Sequence, residues 1–600
     1  MKKLKFLFKE MAKYEPSMFF LIVLYSVSIG LRPFIWIVSP AYILKNSDKP
    51  FSYFVIFFII LFIISAISSF FDSFIMNNYR MKMNNIRYNC IRMVTRYSLY
   101  LPFDKQKDKI EIEKINNALK ACQSPFDGVG GIMMSLPSIG ALIFSISGFI
   151  WIFSKMGYLL LLFILVTTFI YFIINYRSTV VYTKYWEKMS PNWNIFTKLN
   201  YQLRSPESKQ DILIYDFIKL FRSYYMKTNK DRIKEYNDAN KTAIMIYTLA
   251  RLVSFIRDIA IFYWLITSII KGLIDIGDFY MFFTAIFAFI TFNDEYTWII
   301  SNIKNGMASF SYFFDIMEVN FDQRGDTIKD SEITDIEFKN VSFKYPNSDK
   351  YVLKDINFTI HDKESIALVG ENGAGKSTLV LLLCGLYKPT SGEILLNGVN
   401  INKYGTNYRN IVSAIFQDSL LFPFSIKENV SLNNNFYNLD EIYKVTGLDK
   451  IIEKYDKKDQ QILLRTLDEN GVDLSGGQKQ RIFLSRALNK KTSKVLILDE
   501  PTAQLDALAE RELYMLYDKL SYHMSSIFIS HRLASTKFCD RVIFLKNGEI
   551  IGNDSHDNLI KTNEEYKDLY DIQAKNYKEV LWKIYLNFLK DLKKIINIST

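Results

Sequence analysis

Ser365-Ile-Ala-Leu-Val-Gly370-Glu-Asn-Gly-Ala-Gly-Lys376-Ser377-Thr378, continued by the apolar run Leu379 to Leu386, is the stretch that decides the fold of this sequence. Ile366 to Val369 is short and wholly apolar, as a strand buried on both faces requires. The run after Thr378 reads as a helix. Between them Gly370, Asn372, Gly373 and Gly375 form a loop whose backbone N–H groups curl round an anion at the helix N-terminus. Lys376 adds a point charge for β and γ phosphates, Ser377 is placed to ligate Mg²⁺, and Thr378 continues the same turn. Strand, glycine-rich loop and helix in this order specify an α/β P-loop domain for a nucleoside triphosphate.

Upstream the character of the chain changes. Its 600 residues are 49% hydrophobic, and the apolar runs concentrate before about residue 300. A span of the bilayer needs about 20 apolar residues. Six fit: Met18 to Leu44, Phe51 to Met76, Ile132 to Phe153, Tyr158 to Tyr176, Ile244 to Ile270 and Ile276 to Ile300. The fifth carries Arg251, Arg257 and Asp258, so its first half must face protein or water, or lie below the bilayer. Connections after odd-numbered spans are brief, and those after the second and fourth are long and rich in Lys and Arg. The positive-inside rule makes the long ones cytoplasmic, and with them both chain ends. The helical pattern of these long loops breaks at Pro102 and Pro206, which predicts a turn at the bottom of each hairpin and a contact there with the nucleotide-binding domain.

The net charge of +12 is explained by these loops, and no nucleic-acid motif accompanies it. Cys90, Cys122, Cys384 and Cys539 show no metal-binding spacing and read as reduced, structural residues.

Beyond an acidic linker, Ile336, Phe338, Val341, Phe343 and Tyr345 alternate as a strand does. A second buried strand, Val495 to Leu498, ends in Asp499-Glu500. Asp499 is placed to hold Mg²⁺ and Glu500 to polarise a water, because carboxylates at the strand's carboxyl edge face the γ-phosphate. Leu474-Ser475-Gly476-Gly477-Gln478 opens the helical run Lys479 to Leu488 between these landmarks.

That pentapeptide, after a phosphate loop and before Leu496-Ile-Leu-Asp-Glu500, resembles the signature of ATP-binding cassette proteins. The resemblance implies that Ser475, Gly476, Gly477 and Gln478 meet the γ-phosphate of an ATP held by a partner's phosphate loop, so that two cassettes are needed. It further implies that Tyr345 stacks on adenine, that Gln417 senses Mg²⁺ and the membrane domain, that Asp506 is the D-loop acid and that His531 is the switch histidine. Glu469 resembles an exporter-type acid, with Asp468 where that pattern has glycine. Leu101-Pro-Phe-Asp104 and Gly277-Asp-Phe279 are similar to the membrane half of the family's exporters, and Asp211-Ile-Leu-Ile-Tyr215 to bacterial peptide or bacteriocin exporters. The expected fold is therefore a polytopic α-helical domain of six transmembrane helices (1–318), a linker (319–332) and an α/β cassette (333–572). A basic amphipathic helix (573–600) is expected to follow, with Trp582, Tyr585, Phe588 and Leu592 on one face.

The expected activity is ATP hydrolysis, by Glu500 with His531 and Gln417, coupled to export of a peptide, lipid or hydrophobic drug. ATP and Mg²⁺ are the expected cofactors. The partners are a second half-transporter, membrane lipid and the substrate, with no nucleic acid. The alternatives are uptake of a metal chelate on the same fold, or a membrane ATPase that senses without transporting.

Overall fold

The computed structural model describes residues 2–106, 108–317, 325–328, 335–346, 348–431, 438–499, 524–529, 536 and 539–572. The chain divides into two compact units, Met1–Leu101 with Gln106–Phe321, and Pro102–Lys105 with Asp322–Thr600. The linker expected at 319–332 falls mostly outside the described residues, and the amphipathic helix expected at 573–600 wholly so.

The first part of the chain is helical: α1 (Lys2–Tyr14), α2 (Ser17–Lys45), α3 (Phe51–Tyr100), α4 (Phe103–Gln106), α5 (Lys109–Gln123), α6 (Gly128–Ser154), α7 (Tyr158–Arg204), α8 (Pro206–Ile214), α9 (Ile218–Ile270) and α10 (Ile276–Met317). Among the described residues six helical segments are long and apolar enough to cross a membrane, and each contains most of one predicted span. At 1.5 Å per residue the 50 residues of α3 reach about 75 Å, far more than the hydrocarbon thickness, so the helix continues well beyond its span. The 47 residues of α7 and 53 of α9 do the same. Breaks stand at Leu101-Pro102 and Ser205-Pro206, where proline cannot continue the preceding helix.

Small residues set the helix packing, because lipid supplies no hydrophobic drive between helices and close approach must do so. A Cβ on Gly30 would overlap α6 at Ala141 and Phe144, one on Gly140 would overlap Ser26, and one on Gly148 would overlap the Phe34 ring. Ser26 Oγ donates across the same interface to the Pro137 carbonyl at 2.8 Å. The charges of the fifth span meet their expected fate: Arg257 is 1% exposed. Its Nε donates to Asp258 at 3.0 Å, Nη1 donates to Thr168 Oγ1 at 3.2 Å, and the guanidinium lies over the Phe289 ring. The N-terminal residues, basic in sequence, form amphipathic α1, which buries Leu7 and Met11 in an apolar cluster with Tyr79, Phe310 and Phe313.

The second unit is built on two sheets. β1 (Ile336–Phe343), β2 (Leu353–Ile360), β4 (Ser391–Leu396) and β5 (Val399–Asn400) form an antiparallel sheet in the order β2-β1-β4-β5. β3 (Ser365–Gly370), β6 (Val412–Ile415), β7 (Val495–Asp499), β8 (Ser525–Ile529), β9 (Arg541–Lys546) and β10 (Glu549–Asp554) form the other, in the order β10-β9-β3-β8-β7-β6. Its pairs from β9 to β6 are parallel, and β10 closes the edge antiparallel to β9. β3, β7 and β8 are buried at every residue, which is why Ile366–Val369 and Val495–Leu498 read as apolar runs rather than alternating ones. α11 (Lys376–Leu383) packs with both sheets in one core. A separate cluster gathers α12 (Ile426–Val430), α13 (Leu439–Thr446), α14 (Asp449–Ile452) and the start of α15 (Gly476–Asn489), forming a helical lobe with its own core. α16 (His556–Thr562) follows β10.

Candidate functional site

Parallel pairing puts the carboxyl ends of β3, β6, β7 and β8 along one edge, and the sequence places its chemistry there. Leu368 is level with Ile529, Ile529 with Asp499, and Leu498 with Ile415. The loop after β3, Asp499 at the end of β7 and Gln417 just past β6 therefore share that edge.

Gly373 and Gly375 hold φ of +83° and +109°, backbone states in which side chains are strained. A Cβ on Gly375 would also stand 2.7 Å from Leu353 Cδ2. The loop enters α11, whose first-turn N–H groups have no helical acceptor and are the donors an anion can use. Lys376 is 6% exposed, and its ammonium donates to the carbonyls of Gly370 at 2.8 Å and Glu371 at 2.9 Å. Held this way, Lys376 is folded over its own loop with its charge at the mouth. Ser377 is exposed, while Thr378 is buried and its hydroxyl pairs with that of Tyr345 at 2.8 Å.

Asp499 is 5% exposed at the strand end, and Gln417 is exposed. Among the described residues no group of three or more His, Cys, Asp or Glu could hold a metal. Ser377, Gln417 and Asp499 offer only oxygen atoms, which suits a hard cation that keeps several waters and shares phosphate oxygens.

The signature residues lie in the other lobe. Leu474 is buried in the helical cluster, Ser475 is exposed immediately before α15, and its backbone N–H donates to Gln478 Oε1 at 2.9 Å. Ser475 and Gln478 thus form a capping box, and the N-terminus of this 14-residue helix presents Gly476 and Gly477, which carry no side chain to obstruct an incoming anion. Glu500, Asp506 and His531 lie outside the described residues.

Three features escaped the sequence. Tyr387 stands edge-on to Tyr345, ring centres 5.5 Å apart, and packs at 5.3 Å on Phe343 and 5.4 Å on Phe103. Phe103 belongs to the Pro102–Lys105 segment, which groups with the second unit, beside the turn that the sequence marked at Pro102. Arg486, on α15, donates to the backbone carbonyls of Asn429 at 2.8 Å and Leu420 at 3.1 Å, tying the loop after Gln417 to the signature helix. Lys490 donates to the carbonyls of Arg409 and Val412, both at 2.6 Å. Local pattern marks neither an aromatic pairing nor an arginine whose acceptors lie some 60 positions away.

The family described as ABC transporter matches residues 353–503, from β2 through the phosphate loop and the signature to just past β7. An ATP-dependent lipid A-core flippase of Wigglesworthia glossinidia brevipalpis is 30% identical over 397 residues, covering 63% of this chain and 67% of that protein. The chain belongs to the ATP-binding cassette transporter family. The subtilin transport ATP-binding protein SpaT of Bacillus subtilis is 26% identical over 600 residues, 96% of each chain. In fold the chain is similar to a bacterial Atm1-family exporter with ATP bound, with a TM-score of 0.75 and 19% identity over 94% of this chain and 98% of that one. The ABC transporter thus joins a multi-pass membrane domain of the exporter type to one nucleotide-binding ATPase cassette. Its relatives favour the exporter reading over uptake or sensing.

Proposed function

We propose that two copies of this chain, or this chain and a sibling, clasp two ATP molecules between their cassettes and use the cycle to export an amphipathic peptide or lipid-like molecule. The observation that carries the reading is the separation of the phosphate loop and the signature into two lobes with separate cores, each presenting an anion-binding helix N-terminus. A γ-phosphate seated on one chain's loop then needs the other chain's Ser475 to complete its shell.

In this reading Gly370, Asn372, Gly373, Gly375, Lys376, Ser377 and Thr378 hold the phosphates, and Tyr345 holds adenine. Ser475, Gly476, Gly477, Gln478 and Asp506 complete the seam. Ser377, Gln417 and Asp499 would hold Mg²⁺, which neutralises charge on the β and γ phosphates. Glu500 orients a water and accepts its proton as the oxygen attacks the γ-phosphorus, and the bond to the β-phosphate oxygen breaks to give ADP and phosphate. His531 stabilises the departing γ-phosphate, and its loss releases the seam. The cassette spans 333–572 and the membrane domain 1–318, with both termini cytoplasmic, as the basic long loops support. The peptide substrate is supported by the full-length likeness to a protein named for subtilin transport.

The test is uptake into inside-out proteoliposomes. ATP should drive peptide or lipid into the lumen, Glu500→Gln should abolish uptake while retaining nucleotide binding, and hydrolysis per chain should fall on dilution to monomers. Hydrolysis that persists undiminished in verified monomers, or after replacing both Lys376 and Ser475, would defeat the reading.

A further inference from the structure

α2, α6 and α10 each turn one face toward a common cavity of about 630 Å³ inside the membrane unit. The spacing is helical on each: Tyr25, Ile29, Arg32 and Trp36 on α2, and Ala288, Thr291, Phe292 and Glu295 on α10. On α6 the facing positions Ser138, Ala141 and Ser145 are small, and this keeps the space open. Its apolar wall includes four aromatic rings, Tyr25, Trp36, Phe149 and Phe292.

Among the described residues two charged side chains, Arg32 and Glu295, line this cavity, and their situations differ. Arg32 is already engaged: Nη1 lies 3.3 Å from Asp72 Oδ2, and Nη2 donates to Ser69 Oγ at 2.6 Å. The Asp72 side chain is only 9% exposed, so it is held in place to balance that guanidinium. Glu295 is exposed and makes no hydrogen bond or ion pair with any described residue. Arg32 and Asp72 cancel, which leaves one negative charge among the described residues that line the cavity, on Glu295, just past the apolar window Ile276–Asn293. Other charges brought together in this unit, Lys45 with Asp275 and Asp278, Lys82 with Glu15 and Lys188 with Glu235, are paired among themselves.

We infer that this cavity is a recognition site for the transported molecule, and that it selects a cation, an ammonium or guanidinium attached to aromatic or aliphatic bulk. The inference rests on the export reading above and adds the charge of the substrate to it. Electron-rich ring faces and an uncompensated carboxylate both favour a positive group, while the apolar wall requires that group to carry hydrophobic mass. An anion would meet Glu295 directly, with Arg32 already spent on Asp72.

The experiment uses the full-length chain in proteoliposomes and reads half-maximal concentrations for stimulation of ATP hydrolysis. The probes are tetraphenylphosphonium against tetraphenylborate, equal in size and opposite in charge, and a Trp/Leu/Lys decapeptide against the same peptide with Gln for Lys. The wild type is expected to respond to each cationic member at a concentration at least tenfold lower than to its counterpart. Glu295→Gln should bring that ratio toward one, Glu295→Asp should keep it, and Trp36→Ala, which removes apolar wall and a ring face together, should weaken all four probes and the cationic ones most. Because the ratio is taken within one variant, a change in the amount of folded protein cancels. A response confined to the peptide pair identifies a peptide cation, and one confined to the phosphonium pair a small lipophilic cation. A wild-type ratio near one, or a ratio unchanged in Glu295→Gln, overturns the inference. If ATP-dependent uptake lost in Glu500→Gln accompanies a charge-blind ratio, export survives and the cation site does not. If no probe is taken up and none stimulates hydrolysis, both fall.

Discussion

Replacing Arg486 by methionine tests whether the signature helix and the Gln417 loop are one mechanical piece. The guanidinium makes three hydrogen bonds, to the Asn429 carbonyl at 2.8 Å, the Leu420 carbonyl at 3.1 Å and Asn429 Oδ1 at 3.1 Å. It also lies over the rings of Phe422 and Phe483, at 5.5 Å and 5.4 Å. Methionine keeps the stem and the ring packing but no donor. Asn429 is fully buried, so the acceptors it loses cannot turn to water. With about 1–1.5 kcal/mol net for each bond, below the usual range for a charged donor because burial already costs the guanidinium its hydration, the substitution costs roughly 3–4.5 kcal/mol. At about 2–4 °C per kcal/mol for a domain of this size, the cassette's melting transition should fall by roughly 10 °C. Lysine, a single point donor, should recover part of the loss but not all of it. Because Leu420 lies three residues beyond Gln417, releasing it should also lower kcat for ATP hydrolysis more than it raises KM. Differential scanning calorimetry and steady-state hydrolysis on the full chain in nanodiscs read both effects. A shift under about 2 °C for Arg486→Met, or lysine performing as badly as methionine, would refute the reasoning.

Substitutions at three further places probe other parts of the chain. Gly375→Ala adds strain at a φ of +109° and a Cβ 2.7 Å from Leu353, so binding of a fluorescent ATP analogue should weaken at least tenfold. Gly373→Ala, strained but with open space around its Cβ, should do less, and the reverse order would count against the loop geometry. Burial pushes the Cys384 thiol up to about 12, so N-ethylmaleimide at pH 8 should leave it unlabelled until the cassette unfolds. Its native pKa is raised, so the protonated thiol's contribution is whole below the unfolded value near 8.5 and fades as pH climbs toward 12. Cys384→Ala should therefore flatten the alkaline loss of stability measured by urea titration. Asp258→Asn leaves the buried Arg257 without a counter-charge and should destabilise the membrane domain by about 3–5 kcal/mol. Arg257→Met in the same chain should restore most of that loss, and a strictly additive double variant would argue that the pair is not coupled.

Much of the fold could be read because its signals are local. A span is a run of apolar residues, and a doubly buried strand is an apolar run ended by glycine or acid. The phosphate loop is a fixed spacing within one turn. The signature helix was expected from Lys479 and begins at Gly476, because two glycines at a helix start read as a loop when weighed by propensity alone. What stayed hidden needs partners from distant segments. Thr168 meets Arg257 across 89 positions, and the basic α1 gives no hint of the core that accepts Leu7 and Met11. The aromatic chain Phe103, Tyr387, Tyr345 joins three segments whose residues, taken singly, are ordinary strand or turn residues.

α7 and α9 bear on the need for a second chain in a different way. They pack chiefly on one another and only lightly on the rest of their unit. Within the spans an apolar surface costs nothing, because lipid is as apolar as leucine. Before Ile244, however, α9 runs through the charged stretch Lys219 to Lys241, where water is the expected neighbour. Tyr224, Tyr225, Met226, Ile233 and Tyr236 are nonetheless 40% to 59% exposed there. Large side chains left open in an aqueous segment are available for a protein contact rather than a lipid one. On the proposed reading the chain needs a partner's Ser475 to complete its nucleotide seam; it also leaves an apolar surface outside its membrane spans, and one partner would satisfy both. Cysteines placed at Tyr225 and Ile233 should form crosslinks between chains in the assembled transporter, and purely intrachain reactivity at both positions would separate the two requirements.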